Sequence, residues 1–380
     1  MGSTLGGVGV LTTHVGSLPR PARLAELLLA RELGEPYDAG ELDAELVAGV
    51  HAAVARQVDV GIDVVSDGEM SKISYATYVK DRLTGFGGHS PRLPARDLAA
   101  HAEFAKRMAA FAGEQKFKRM SCIGPVEYVG RADLDADLAR LRAAADAAGV
   151  ERCFMNAASP GLVSAFQPNE YYPTHAAYVE VLGAAMRTEY AAIIAAGFDL
   201  QLDCPDLAMA RHTGFQTLTD AEFVARSEHA VDVLNEATRD LPAERLRMHV
   251  CWGNYEGPHD HDVDLATILP TVLRARPAQL LFEAANPRHE HEWKIWADAD
   301  LPDDMVLVPG VIASTTNYVE HPALVAQRIE RFVAIVGPDR VMAGTDCGFA
   351  TFAGIGRVDP EIAYKKLASL VAGAHADGQR

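Results

Sequence analysis

The chain has 380 residues, with 49% hydrophobic and 23% charged side chains, an ordinary globular composition. It excludes collagen, a coiled coil, a disordered tail and a small disulfide scaffold, and it is long enough to bury a large core. Its 35 basic and 52 acidic residues give a formal charge of −17, so phosphate backbones are repelled and a nucleic-acid partner is disfavoured. No apolar run approaches a membrane span, and the start lacks a basic segment followed by an apolar one, so the expected location is cytoplasmic with no membrane partner. The five cysteines are widely spaced, which points to thiol or metal chemistry in a reducing compartment rather than to a disulfide framework.

Short runs rich in Val, Ile and Leu predict strands. In chain order they are Val8–Val15, Asp63–Asp67, Arg119–Ile123, Cys153–Ala157, Asp199–Asp203, Arg247–Cys251, Gln279–Glu283, Met305–Pro309 and Arg340–Thr345. Helical patterns lie between them at Glu41–Val60, Leu134–Ala148, Ala177–Ala196, Asp220–Arg239, Val263–Arg276, Pro322–Val336 and Pro360–Ala374. Thr219 or Asp220, and His321-Pro322, read as helix starts; Gly149, Gly197 and Gly337 read as residues that follow helix ends.

Strand-then-helix order predicts an α/β fold. We read it as a (β/α)8 TIM barrel, a single domain over residues 1–380 with an excursion after strand 2. Arg119–Ile123 is assigned to that excursion, an irregular insertion over about 84–128. An open doubly wound sheet is the competing architecture. The GxG at Gly7–Gly9 precedes a strand instead of following one, so it is no dinucleotide fingerprint.

Barrel active sites lie at the C-terminal strand ends. Here those ends carry His14 and Ser17, Asp67 and Glu69, Asn156, Asp203, His249 and Cys251, Glu283, Pro309-Gly310, and Asp346-Cys347. His249 and Cys251 stand two apart, so in a strand they face the same way and can converge on one ion. With Glu283 and Cys347 they make a four-ligand zinc set. The plainer alternative is buried packing cysteines, the reading preferred for Cys122, Cys153 and Cys204. The pairs His259/His261 and His289/His291 fall in polar loops, where solvated or substrate-facing roles are expected. Two thiolates and a carboxylate already neutralise a dication, which makes it a weak activator of water but able to hold a substrate thiol as thiolate. The ligand set therefore implies alkyl transfer to a small-molecule thiol from an electrophilic alkyl donor. A zinc hydrolase and a non-catalytic zinc-stabilised barrel are the competitors.

Thr12-Thr13-His14-Val15-Gly16-Ser17-Leu18-Pro19, Asp67-Gly68-Glu69, Asp203-Cys204-Pro205, His249-Val250-Cys251, Pro309-Gly310-Val311 and Asp346-Cys347-Gly348 resemble the catalytic barrel of cobalamin-independent methionine synthases. The resemblance implies zinc ligands His249, Cys251, Glu283 and Cys347. Most such synthases carry a further N-terminal half and a histidine after Pro-Gly-Val; here that stretch reads Ile312-Ala313-Ser314-Thr315-Thr316-Asn317. The segments Cys251–His259, Phe282–His289 and Gly344–Phe349 resemble epoxyalkane:coenzyme M transferase-like proteins, which implies an epoxide or another non-folate donor; a compact cobalamin-independent methionine synthase-type methyltransferase to homocysteine is the alternative. His14, Ser17, Glu69, Asp203 and Arg288 are the expected substrate-binding residues, with Arg20 as a second anion-pairing candidate. Tyr255, His289 and Asn317 are the candidate catalytic residues for proton delivery, Asn317 at most by orienting a water. Oligomeric state is left open.

Overall fold

The computed structural model describes residues 9–91, 94–112 and 119–375. Val8 and Gly7, part of the first expected strand and of the GxG, lie outside the described residues, as does part of the expected insertion.

The strands are β1 (Leu11–Thr12), β2 (Val65–Ser66), β3 (Phe86–Gly87), β4 (Ser121–Cys122), β5 (Cys153–Ala158), β6 (Asp199–Asp203), β7 (Leu246–Val250), β8 (Gln279–Glu283), β9 (Val306–Ile312) and β10 (Met342–Thr345). Eight of them form one sheet in the order β1-β10-β9-β8-β7-β6-β5-β2. Every neighbouring pair in it is parallel. The two ends meet: the Val64 N–H donates to the Thr12 carbonyl at 3.1 Å, and the Thr13 hydroxyl donates to the Val64 carbonyl at 3.1 Å. Asp63 fixes the seam by accepting both the Thr12 N–H and its hydroxyl. These contacts close the sheet into a barrel and overturn the open doubly wound alternative. β3 and β4 pair antiparallel outside the barrel, so the segment around Arg119–Ile123 belongs to the excursion.

Long amphipathic helices follow most strands. Thr219 caps Asp220–Thr238 in a reciprocal box with Glu222, and Gly149 closes Arg131–Ala148 in a left-handed conformation. The expected helix Val263–Arg276 is shorter, Leu265–Val272, with Pro270 inside it. Its continuation is bound by Asn235 instead: the amide donates to the Arg274 carbonyl and accepts the Arg276 N–H. The helices Ala22–Leu33, Ala102–Ala112, Pro160–Phe166 and Trp293–Asp298 are additional to those expected. No helix among the described residues is long and apolar enough to cross a membrane.

Strand alternation divides the core in two. Leu200, Leu202, Met248, Val250, Leu280 and Phe282 pack outward in the large sheet–helix core. Val15, Val64, Phe154, Leu281, Val308 and Met342 form a separate apolar plug inside the barrel. In the alternate positions Gln201, Arg247 and Gln279 stand in register, followed by Asp203, His249 and Leu281. Arg247 lies flat on the Phe154 ring at 3.8 Å and donates to Thr13 Oγ1 and to the His14 carbonyl. The inward face therefore mixes the apolar plug with the buried Gln201, Arg247 and Gln279, and ends in Asp203 and His249 at the C-terminal side.

His14 sits beside this plug. Its Nδ1 accepts the Gly16 N–H at 3.1 Å, which leaves Nε2 to donate to Gln57 at 2.7 Å. Burial, assisted by the field of Arg247, lowers its pKa from 6.5 to about 4. Between pH 6.5 and 4 the unfolded chain then binds a proton that the folded one refuses. Stability should fall as pH drops through this window, by on the order of 3 kcal/mol from this one group, and be independent of it above pH 6.5. Urea unfolding of the parent and of His14→Gln across this range should show a shallower slope in the variant; equal slopes would refute the assignment.

Candidate active site

The C-terminal ends of β7, β8 and β10 bring the metal-competent side chains together. The ligand atoms of His249, Cys251 and Cys347, all buried, lie within 4.8 Å of one another. Cys347 Sγ is 3.9 Å from His249 Nε2 and 4.0 Å from Glu283 Oε1. Bond lengths of about 2.0–2.3 Å place two ligands of tetrahedral zinc roughly 3.5 Å apart, so the two Cys347 separations need to contract by only a few tenths of an ångström, while Glu283 stands beside the three-residue group and outside it. Glu283 is oriented by the Trp252 N–H on Oε1 at 2.7 Å and by the Asn286 amide on Oε2. Asp346 accepts the Ala284 and Ala285 N–H groups, both at 2.9 Å, which ties the end of β10 to the end of β8.

The donor set fits a cation on chemical grounds. A hydrogen bond donated by the Cys347 thiol to Cys251, reinforced by burial, pushes that thiol well up. Burial also raises Glu283, and it raises Asp346 to about 7 with help from the charge of Glu283. Acidic groups this close inside a protein cannot all ionise unless positive charge joins them. Gly348 completes the corner: a Cβ there would collide with the Ser17 hydroxyl, so a residue with a side chain would push Ser17 off the site.

The cluster opens on a cavity of about 450 Å³ whose walls include Ser17, Glu69, Asp203, His249, Cys251 and Cys347. Glu69 is a non-glycine residue with φ of 56°, and its Oε2 is buried without a hydrogen-bond partner. Burial raises its pKa to about 7, against the pull of Lys72. Asp203 accepts from the Asn156 and Gln201 amides and stands 3.8 Å from His249 Nδ1. The excursion covers the opposite side as a lid: Pro94, Ala95, Leu98, Ala105 and Met108 line the cavity. One buried carboxylate latches it, Asp97, which accepts the Tyr255 hydroxyl at 2.6 Å and the His259 N–H at 3.1 Å.

Of the residues expected from sequence, Ser17, Glu69, Asp203 and Tyr255 line this cavity; His14, Arg288, His289 and Asn317 do not. His14 has both ring nitrogens engaged inside the barrel. Arg288 is exposed. Asn317 is exposed and bridges the Arg357 carbonyl and the Asp359 N–H. Arg20 is occupied by the carbonyls of Glu69, Lys72 and Ala350.

His259 and His289 are buried, not solvated. Both pair with Asp262 at 3.1 Å, and His212 Nδ1 approaches the same carboxylate at 3.4 Å. His289 also binds Glu292 at 3.0 Å and stacks on Trp252. A signal for this network lay in the sequence: His259/Asp262 and His289/Glu292 repeat one spacing of three. The lid and Arg357, a further cavity-wall residue, were not anticipated.

No family model matches the chain. Proteins named methionine synthase from Saccharolobus solfataricus and Thermococcus kodakarensis are 23% and 24% identical over 367 residues. The matches cover 95% of this chain and 93% and 91% of those proteins, so these relatives have no large N-terminal half that this chain lacks. Among solved structures, a B12-independent methionine synthase from Shewanella sp. W3-18-1 in complex with selenomethionine superposes with a TM-score of 0.71, at 19% identity and 97% coverage of both chains. A putative vitamin-B12 independent methionine synthase from Listeria monocytogenes gives 0.65 at 22% identity, covering 96% of this chain and 98% of that one. The chain is thus similar over nearly its whole length to proteins named methionine synthase, and it shares the fold of the two B12-independent methionine synthase structures.

Asp97→Ala should free the lid without unfolding the barrel. It removes the 2.6 Å acceptor of the Tyr255 hydroxyl and the acceptor of the buried His259 N–H, a loss of about 1–3 kcal/mol. Hydrogen exchange over residues 94–112 should accelerate at least about tenfold while exchange in β5–β9 stays unchanged. Equal protection of the lid in both proteins would show that Asp97 is not its latch.

Proposed function

We propose that this barrel is a zinc-dependent methyltransferase that alkylates the thiol of a small amino-acid-like substrate, with homocysteine as the thiol. The observation that carries the reading is the buried His249/Cys251/Cys347 cluster, with Glu283 beside it, at the floor of a cavity that also presents Ser17, Glu69 and Asp203. Zinc held by those four residues would supply one thing, a substrate sulfur that is a thiolate at neutral pH.

The chain's own residues do the rest. Glu69 and Asp203 offer carboxylates to the substrate's ammonium group, and the buried, unpaired Glu69 Oε2 gains a partner there. The Ser17 hydroxyl, on the cavity wall, receives the carboxylate. The lid keeps water from the sulfur while the S–C bond forms and the bond from carbon to the leaving group breaks. The leaving group then needs a proton. Tyr255 is the one expected donor on the cavity wall; its hydroxyl, which donates to Asp97 at 2.6 Å, would turn from that carboxylate to give its proton.

Names and lengths of the relatives support methyl transfer over epoxide opening. Cys251→Ser and Cys347→Ser should each lose zinc and transfer activity together, yet keep the parent's circular dichroism, because the barrel has its own apolar core. The assay is methylation of homocysteine with methyltetrahydrofolate or methylcobalamin, alongside metal analysis. Full turnover in both variants would sink the zinc reading. Turnover of epoxypropane with coenzyme M in place of a methyl donor would replace methyl transfer by epoxide opening.

A further inference from the structure

The thiol chemistry leaves one charged wall residue without a task. Arg357 is the one Lys or Arg among the described residues that line the cavity. It stands in the loop after β10, half-buried. Among the described residues its guanidinium has no hydrogen bond and no ion pair. Two other buried arginines are paired: Arg82 with Asp137 and the Gly130 carbonyl, Arg328 with Glu290 and two carbonyls. Burial lowers the pKa of Arg357, and exposed Glu256 acts on it without forming a pair. A guanidinium drawn partly out of water without a counter-ion is costly, and a ligand anion offsets that cost.

Its surroundings define the rest of such a ligand. Ile355 and Phe352 from the same loop, Met209 from the loop after β6, and Leu98 and Met108 from the lid make an apolar wall. Ser17 lies elsewhere, beside the cluster, where its carbonyl accepts the Phe349 N–H at 2.9 Å. The thiol's own anionic end is therefore served near the metal ligands, and Arg357 remains for the second substrate.

We propose that Arg357 and this apolar wall form the subsite for the alkyl donor, and that the donor is an apolar-bodied anion carrying a carboxylate, sulfonate or phosphate. The inference rests on the two-substrate reading above, but its test needs neither turnover nor a bound thiol.

The zinc-loaded full-length protein is titrated by fluorescence with two probes of like shape, the anion anilinonaphthalenesulfonate and neutral phenylnaphthylamine. The sulfonate should bind more tightly than the neutral probe. Arg357→Gln should weaken the sulfonate about tenfold and leave the neutral probe unchanged; Arg357→Lys should recover part of the loss. Met209→Trp, which fills the cavity, should weaken both probes. Equal sulfonate affinity in Arg357→Gln and the parent overturns the subsite, as does sulfonate binding that Met209→Trp leaves untouched. If the cysteine variants keep methyl transfer while the charge discrimination persists, the zinc reading falls and the anion subsite stands.

Discussion

Acidic groups crowded at one end of a barrel set the terms for everything around them. Parallel strands in register deliver Asp203, His249 and Glu283 to the same rim, and the turns beyond add Cys251, Asp346 and Cys347. Burial raises Glu283, Asp346 and the Cys347 thiol together, so the unliganded rim carries protons where a cation would carry charge. The apolar plug beneath, with Phe154, Leu281 and Val308, closes the barrel's axis to water. Without it these groups would be solvated and the argument for a cation would weaken.

A second polar system holds the upper loops in place. Asp262 gathers His212, His259 and His289, and Glu292 takes the other nitrogen of His289. Burial opposes charge on His289, but Asp262 and Glu292 outweigh it and raise the imidazole to about 10. It is therefore a cation at neutral pH, held between two carboxylates. The loops that begin at the ends of β6, β7 and β8 are joined through this one carboxylate, and Tyr255 and Asp97 extend the junction to the lid. A buried network with partners for its members fixes one loop arrangement. That explains why a lid of two short helices can sit over the cavity with only a small apolar contact of its own.

Strand periodicity made most of the barrel readable. The expected strands at Asp199–Asp203 and Gln279–Glu283 match the observed ones, and the spacing of two between His249 and Cys251 sets their common direction. Direction is what sequence cannot give beyond a strand end. His14 follows β1 by two residues, yet the turn at Gly16, with φ of 136°, aims its ring into the barrel wall. Arg288 and Asn317 lie in loops whose course depends on Asn286 and on the Asp359 helix start. The lid was legible only as an irregular insertion, because a helix such as Ala102–Ala112 has meaning only against the cavity it covers. Arg357 carries no local motif; its significance is the lack of a partner, a three-dimensional fact.

The missing histidine after Pro309-Gly310-Val311 has a structural counterpart. In its place the loop binds itself: the Ala313 N–H donates to Glu320, which also pairs with buried Lys366, and the Ser314 hydroxyl donates to Asn254. That loop contributes Ser314 to the cavity and no ionisable group. Asn254 lies next to Tyr255, so the segment that lacks the histidine braces the segment that carries the phenol. A proton-bearing group on the β7 loop can face the same space as one on the β9 loop. On this view the metal ligands and the proton source are separable parts of the barrel end. Of the proposed ligands, His249 and Glu283 sit on strands and Cys251 and Cys347 directly beyond strand ends, whereas the proposed proton donor sits farther out on a loop and can be supplied from a different strand end without disturbing the cluster.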